Sequence, residues 1–204
     1  MRQRTSLGTI LLAIIVISVV AAPALADPTV TGDQGAWADL RAAWTKLHEL
    51  SGYRAKMTSE DGVTGIMEFA TPGAYHMTMQ TKAGPVEMIG VNGKTAVKLN
   101  VPGAPAGWQC RDMPQPASVP DLEKAQGTIN IARQPDTTVN GTPVHVYATS
   151  TTMPSSKAPI SATWYVGSAT GLPVRLTTGE AGHQSMMDFY DYGAAIAISL
   201  PSCG

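Results

Sequence analysis

The chain has little of what most functional classes require. Charge is scarce: 14% of 204 residues are Asp, Glu, Lys or Arg, against about 25% in ordinary soluble domains. Lys+Arg 14 against Asp+Glu 15 leaves a net charge of -1, and no short window gathers more than two basic residues. That excludes a nucleic-acid footprint. There are two cysteines and four histidines, none at metal-ligand spacing, so no metal or other cofactor is expected. No Gly-x-Ser-x-Gly elbow, phosphate-binding glycine loop, Gly-x-Gly-x-x-Gly or His-Glu-x-x-His occurs, and no catalytic residue is assigned. The nearest polar group is His183, Ser185, Asp188 and Asp191, which reads as polar residues about a hairpin. Only two Phe are present, against ten Met.

The longest charge-free apolar run is short. Ile10–Ala22 follows Arg2 and Arg4 and precedes Pro23 and Ala24-Leu25-Ala26, the pattern of a secretory signal peptide cleaved after Ala26. The alternative is an uncleaved anchor, but the run falls short of the ~20 residues of a spanning helix. The expected organisation is therefore a signal peptide over 1–26 and one domain over 27–204. The product would be periplasmic or secreted, without a stable membrane span. In an oxidising compartment Cys110 and Cys203 are expected to pair; two free thiols or an intermolecular bridge are the alternatives.

What is present reads as one helix and many short strands. Asp33 suits an N-cap for a helix to about Glu49, with Trp37, Leu40, Trp44 and Leu47 on one face. The period then changes to two. Tyr53 to Val101 gives five strands in a meander, with Asn92-Gly93 as a hairpin turn. Pro102–Pro120 holds five prolines and reads as a crossing loop, ending in a possible short helix over Asp121–Gln126. A second meander runs from about Thr128 through Asn140-Gly141 to Phe189, and the chain closes over Ala195–Leu200. The expected fold is mainly β (α+β). About ten antiparallel strands curl into an incomplete barrel, covered by one or two helices.

Alternation puts Met57, Met67, Phe69, Met77, Met79, Met88, Val97, Leu99, Val146, Trp164, Leu176, Met187 and Phe189 on one face. Lys56, Glu68, His76, Gln80, Lys98 and Arg175 fall on the other. The first set is the candidate ligand cavity. Methionine is flexible and polarisable, suited to a surface that remoulds around different apolar guests, although it also fills ordinary cores.

The order of these pieces resembles the bacterial outer-membrane lipoprotein carrier (LolA-like) superfamily. The helix runs straight into Tyr53-Arg54-Ala55-Lys56-Met57, and Gly65 to Pro72 precedes an aromatic-bearing strand. Asn92-Gly93-Lys94 is similar to the family's Asp-Gly-Lys turn. Trp164-Tyr165-Val166 with Gly171-Leu172-Pro173-Val174-Arg175, and the close at Asp191-Tyr192-Gly193, Ile196, Ile198 and Pro201, also match. The resemblance implies an unclosed barrel that carries lipid or acylated (lipoprotein) cargo through the envelope, with an envelope protein as donor or acceptor. The alternative it implies is a lipid-sensing regulatory module without a transport role. The chain departs at Ala70-Thr71-Pro72, where the lipoprotein carriers often have a basic residue, and it adds the cysteine pair and the proline-rich loop.

Overall fold

The computed structural model describes residues 29–70, 73–112, 127–152, 159–180 and 183–203. The signal peptide, its cleavage site and the possible helix over Asp121–Gln126 lie outside them. The chain opens with β1 (Thr29–Gly32) and α1 (Gln34–His48). A first meander follows: β2 (Gly52–Ser59), β3 (Thr64–Ala70), β4 (Ala74–Thr81), β5 (Gly84–Val91), β6 (Lys94–Leu99) and β7 (Gln109–Asp112). The second comprises β8 (Thr128–Val139), β9 (Thr142–Thr152), β10 (Ile160–Gly167), β11 (Pro173–Glu180) and β12 (His183–Tyr190).

All twelve strands form one sheet in the order β1-β8-β9-β10-β11-β12-β2-β3-β4-β5-β6-β7. The two meanders join where β12 pairs with β2, and β1 and β7 remain as unpaired edges, so the barrel is not closed. It is nevertheless curled. Ile131 of β8, Trp164 of β10, Phe189 of β12 and Met88 of β5 all belong to one buried cluster, which a flat sheet of this width would keep apart.

Two strands go beyond the alternation pattern. β1 pairs parallel with β8, Thr29 opposite Thr128, and is too short to show a period of its own. β7 lies inside the proline-rich stretch at the sheet edge, where only one side needs hydrogen bonds.

The helix forms as its sequence dictates. Asp33 adopts extended geometry and its carboxylate accepts from the Ala36 amide at 3.0 Å. Ala36, Leu40, Ala43, Trp44 and Leu47 are buried on one face, while Lys46 and His48 occupy the last turn, where cations complement the helix dipole. No helix of the described residues is long and apolar enough to cross a membrane.

After β12 the chain runs back over the outer face as an extended strap. Asp191 adopts a left-handed conformation, the Gly193 amide donates to Gly52 O, and Ser51 Oγ donates to Gly193 O. Tyr192, Ala194, Ile196, Ile198 and Leu200 are half-buried and alternate with exposed neighbours. A Cβ on Gly52 would meet the Ala194 carbonyl at 2.7 Å, so only glycine admits the strap there. The strap ends at β7, where Cys203 is bonded to Cys110, with 5.7 Å between their Cα atoms. β2 to β7 spans about 24 Å at ~4.8 Å per strand, and Ala194 to Cys203 extends about 30 Å. The strap thus reaches its bond with little slack.

Candidate functional site: an uncharged concave floor

The register defines the floor row by row. Phe189, Ala55, Met67, Met77, Met88 and Val97 are successive cross-strand partners, and directly opposed residues share a face. The next row towards the β2–β3 turn is Leu176, Met187, Met57, Gly65, Met79, Val86 and Leu99. The row on the other side is Tyr53, Phe69, Tyr75, Gly90 and Thr95. Trp164 opposes Leu176 and so lies on the same face.

One member of the sequence-derived set is misplaced. Val146 opposes Tyr165, while its neighbour Tyr147 opposes Trp164. Val146 therefore lies on the outer face, in a small cluster with Val139, Val144, Tyr165 and Val174. On β9 the inward set is His145, Tyr147 and Thr149 and the outward set is Val144, Val146 and Ala148, so taking the more apolar parity as inward inverts the strand. Tyr147 replaces it on the inner face, 1% exposed. The pairing of Tyr147 with Trp164 across the hairpin was the available signal.

At one end the floor is sealed by aromatic groups. Tyr53 and Phe69 stack with centroids 4.6 Å apart. Burial pushes the Tyr53 hydroxyl well above its ordinary range. Tyr75 lies across β5 to reach Thr95, its hydroxyl 3.2 Å from Thr95 Oγ1, and both residues are buried. That reach requires Gly90, where a Cβ would sit 2.0 Å from Tyr75 Cε1. On the second meander Trp44 of α1 meets Trp164 edge to face at 4.9 Å. Neither indole N–H has an acceptor among the described residues.

Towards the β2–β3 turn the burial fades along β2, β4 and β12, whereas Val86 of β5, opposite Met79, stays 3% exposed. Met57, Met67, Met77, Met79, Val97, Leu99 and Met187 are half-buried, whereas Phe69, Met88, Trp164, Leu176 and Phe189 are buried. The helix packs on β1, β8, β10 and β11, the half of the sheet opposite the methionines. Across β2 to β6 the inward positions carry no charge; their polar side chains are Tyr53, Tyr75 and Thr95 at the aromatic end and Ser59 and Thr81 at the other.

Polar groups gather elsewhere. Beside α1, the Tyr147 hydroxyl donates to Asp39 at 3.1 Å, and Arg133 stands over the Tyr147 ring and pairs with Asp136 at 2.6 Å. Burial and the Asp39 carboxylate push the Tyr147 hydroxyl up to about 12. Arg133 and His145 hold the Asp136 carboxyl below the usual carboxylate range. The outer face carries a ladder: Asp191–Arg54 at 2.9 Å, Arg54–Glu68 at 2.8 Å, Glu68–His76 at 3.2 Å and His76–Glu87 at 2.9 Å. Arg54, then His76, lowers the Glu68 carboxyl. A groove of about 370 Å³ beside the ladder is lined by Lys56, Ile66, Thr78, Gln80 and Glu87, with Gly65 and Met79. Ile66 is 45% exposed there.

The hairpin group from the sequence is not brought together. Asp188 lies on the outer face, bonded to Arg175 at 2.5 Å, whereas Ser185 shares the inner parity of Met187. Asp191 serves Arg54. The His183 side chain lies outside the described residues. Among the described residues no three His, Cys, Asp or Glu side chains gather as metal ligands.

These features define an unclosed half-barrel, antiparallel except for β1, walled by one helix and with no charged inward side chain across β2 to β6. No family model matches the chain, and no curated protein matches it. Solved structures do. The Mycobacterium tuberculosis lipoprotein LppX matches at a TM-score of 0.64 and 12% identity, over 82% of this chain and 100% of that one. LprF from Mycobacterium bovis matches at 0.57 and 11%, over 85% of this chain and all of the other. The chain has the LolA-like fold that its sequence resembles.

Proposed function

We propose that this protein is an exported envelope carrier or binding protein for lipids or acylated cargo, which it holds by the acyl chain inside the unclosed barrel. The observation that carries the reading is the half-buried, uncharged methionine floor of the first meander. The methionines are half-buried, so an apolar guest laid against them would take the rest of their surface out of water. Each methylene moved from water onto them contributes about 0.8 kcal/mol. Methionine suits the role because its unbranched thioether re-packs around different chains. The likeness to LppX and LprF supports the architecture alone.

The test is uptake of a fluorescent fatty acid such as cis-parinaric acid by protein comprising residues 27–204. Saturable binding is expected, with Met77→Glu or Met79→Glu abolishing it while secretion and circular dichroism stay unchanged. Absence of uptake by the unsubstituted protein refutes the reading. Transfer of the bound probe to acceptor vesicles separates a carrier from a lipid sensor.

A further inference from the structure

Resting on that reading, we propose that the guest is a single hydrocarbon chain inserted end-on at the methionine-rimmed end of the first meander, while α1 stays in place as a fixed wall. The helix has no freedom to act as a lid. At its start the Asp33 amide donates to Ile131 O at 2.9 Å, directly after β1 has locked into register with β8. Along its length Tyr147 and Arg133 hold Asp39. At its end Lys46 Nζ donates to Thr170 O. Only Glu49, Leu50 and Ser51 separate it from β2, and Ser51 is itself bonded to Gly193. Leu40 and Leu47 are fully buried beneath it.

The opposite end is built differently. Along β2 exposure rises from Tyr53 and Ala55, both buried, to Met57; along β4 it rises from Tyr75 to Met77 and Met79; along β12 from Phe189 to Met187. Gly65 lies between Met57 and Met79 in their row, and Met79 Cγ stands 3.1 Å from where a Cβ on Gly65 would be, so the flexible Met79 thioether packs over the glycine and its displacement opens the row. Behind the rim the described residues are apolar, Phe189, Ala55, Met67, Met77, Met88 and Val97, followed by the Tyr53–Phe69 stack and the Tyr75–Thr95 pair as an end wall. Among the described residues a charged headgroup meets no charged partner on that path, and desolvating it unpaired would be costly. It stays at the mouth, near the turn residues Glu60, Asp61 and Lys82, while the alkyl tail goes in. The substrate class is therefore an amphiphile with a slender, uncharged tail.

The experiment compares two restraints. Lys46→Cys with Thr170→Cys, joined by a short bismaleimide, locks α1 to the β10–β11 turn; Met79→Cys accepts a bulky maleimide at the mouth. The bonded native cysteines do not react. Stopped-flow uptake of cis-parinaric acid is measured for each, with the circular dichroism spectrum confirming the fold. Locking α1 is expected to change the uptake rate less than twofold, and labelling the Met79→Cys variant to slow it more than tenfold. Preloading with palmitate should protect the thiol of Met79→Cys from the maleimide, but not that of Ala38→Cys on the exposed side of the helix. Loss of uptake on locking α1, or unchanged uptake after labelling at the mouth, overturns the inference while leaving the carrier reading intact. No uptake by the unsubstituted protein overturns both.

Discussion

Replacing Gly90 with alanine should be one of the costliest single-methyl additions available to this fold. Glycine in a strand interior is usually a liability of about 0.5–1 kcal/mol relative to alanine, so a glycine without a purpose would be improved by the change. Here the added Cβ would sit 2.0 Å from Tyr75 Cε1 and 2.4 Å from Cζ. The ring must leave β5. Tyr75 is 3% exposed, and truncating a buried aromatic to alanine costs about 3–5 kcal/mol; a displaced ring forfeits a large part of that. Its departure also strands the hydroxyl of Thr95, which is fully buried, at a cost of about 1–3 kcal/mol. Gly90→Ala should therefore destabilise by about 3 kcal/mol in urea unfolding followed by tryptophan fluorescence. Tyr75→Phe, which removes only the hydroxyl, should cost about 1 kcal/mol. The decisive measurement is the double-mutant cycle: in a Tyr75→Ala background Gly90→Ala should be neutral or slightly stabilising, because nothing then occupies the space. If Gly90→Ala is harmless alone, or equally costly in both backgrounds, the glycine does not serve the tyrosine and the end wall is misassigned.

Removing the Cys110–Cys203 bond by Cys203→Ser should lower stability by up to roughly 4–5 kcal/mol, from the chain entropy of a 93-residue separation; equal urea midpoints for both proteins would refute it. Glu68 has its pKa lowered by Arg54 and His76, so its contribution is present above the ordinary carboxylate value and disappears as pH falls through the lower folded value. The stability difference between the wild type and Glu68→Gln should accordingly shrink as pH is taken from about 6 to below about 4; a pH-independent difference would contradict the ladder. Edman sequencing of secreted protein should start at Asp27, and a sequence starting at Met1 would rule out cleavage after Ala26.

The helix and most strands were legible because their buried faces are periodic and their outer faces polar. Glu68, His76 and Lys98 between Met67, Met77 and Val97 leave only one orientation for the first meander. Where that contrast fails, the reading fails. Val144 and Val146 bury a second, outward cluster, so the inward role of Tyr147 was hidden by apolar neighbours on both sides. β1 and β7 are four residues each, too short to establish a period, and their existence depends on partners far along the chain. The aromatic end wall was half visible: Tyr53 and Tyr75 follow the inward parity, but that Gly90 makes room for one of them is a fact of packing, which no period encodes.

The strap also fixes a timetable. Cys203 lies beyond β12, and its partner lies in β7, so the bond has no second thiol until every strand has emerged. The first strand waits long as well, since Thr29 pairs with Thr128. A chain made N-terminus first therefore holds β1 unpaired until β8 has followed, and β2 without one neighbour until β12 is complete. Oxidation, arriving last, seals a shape already assembled and adds a covalent limit on how far the half-barrel can later spread. Such a protein is slow to complete and slow to come apart.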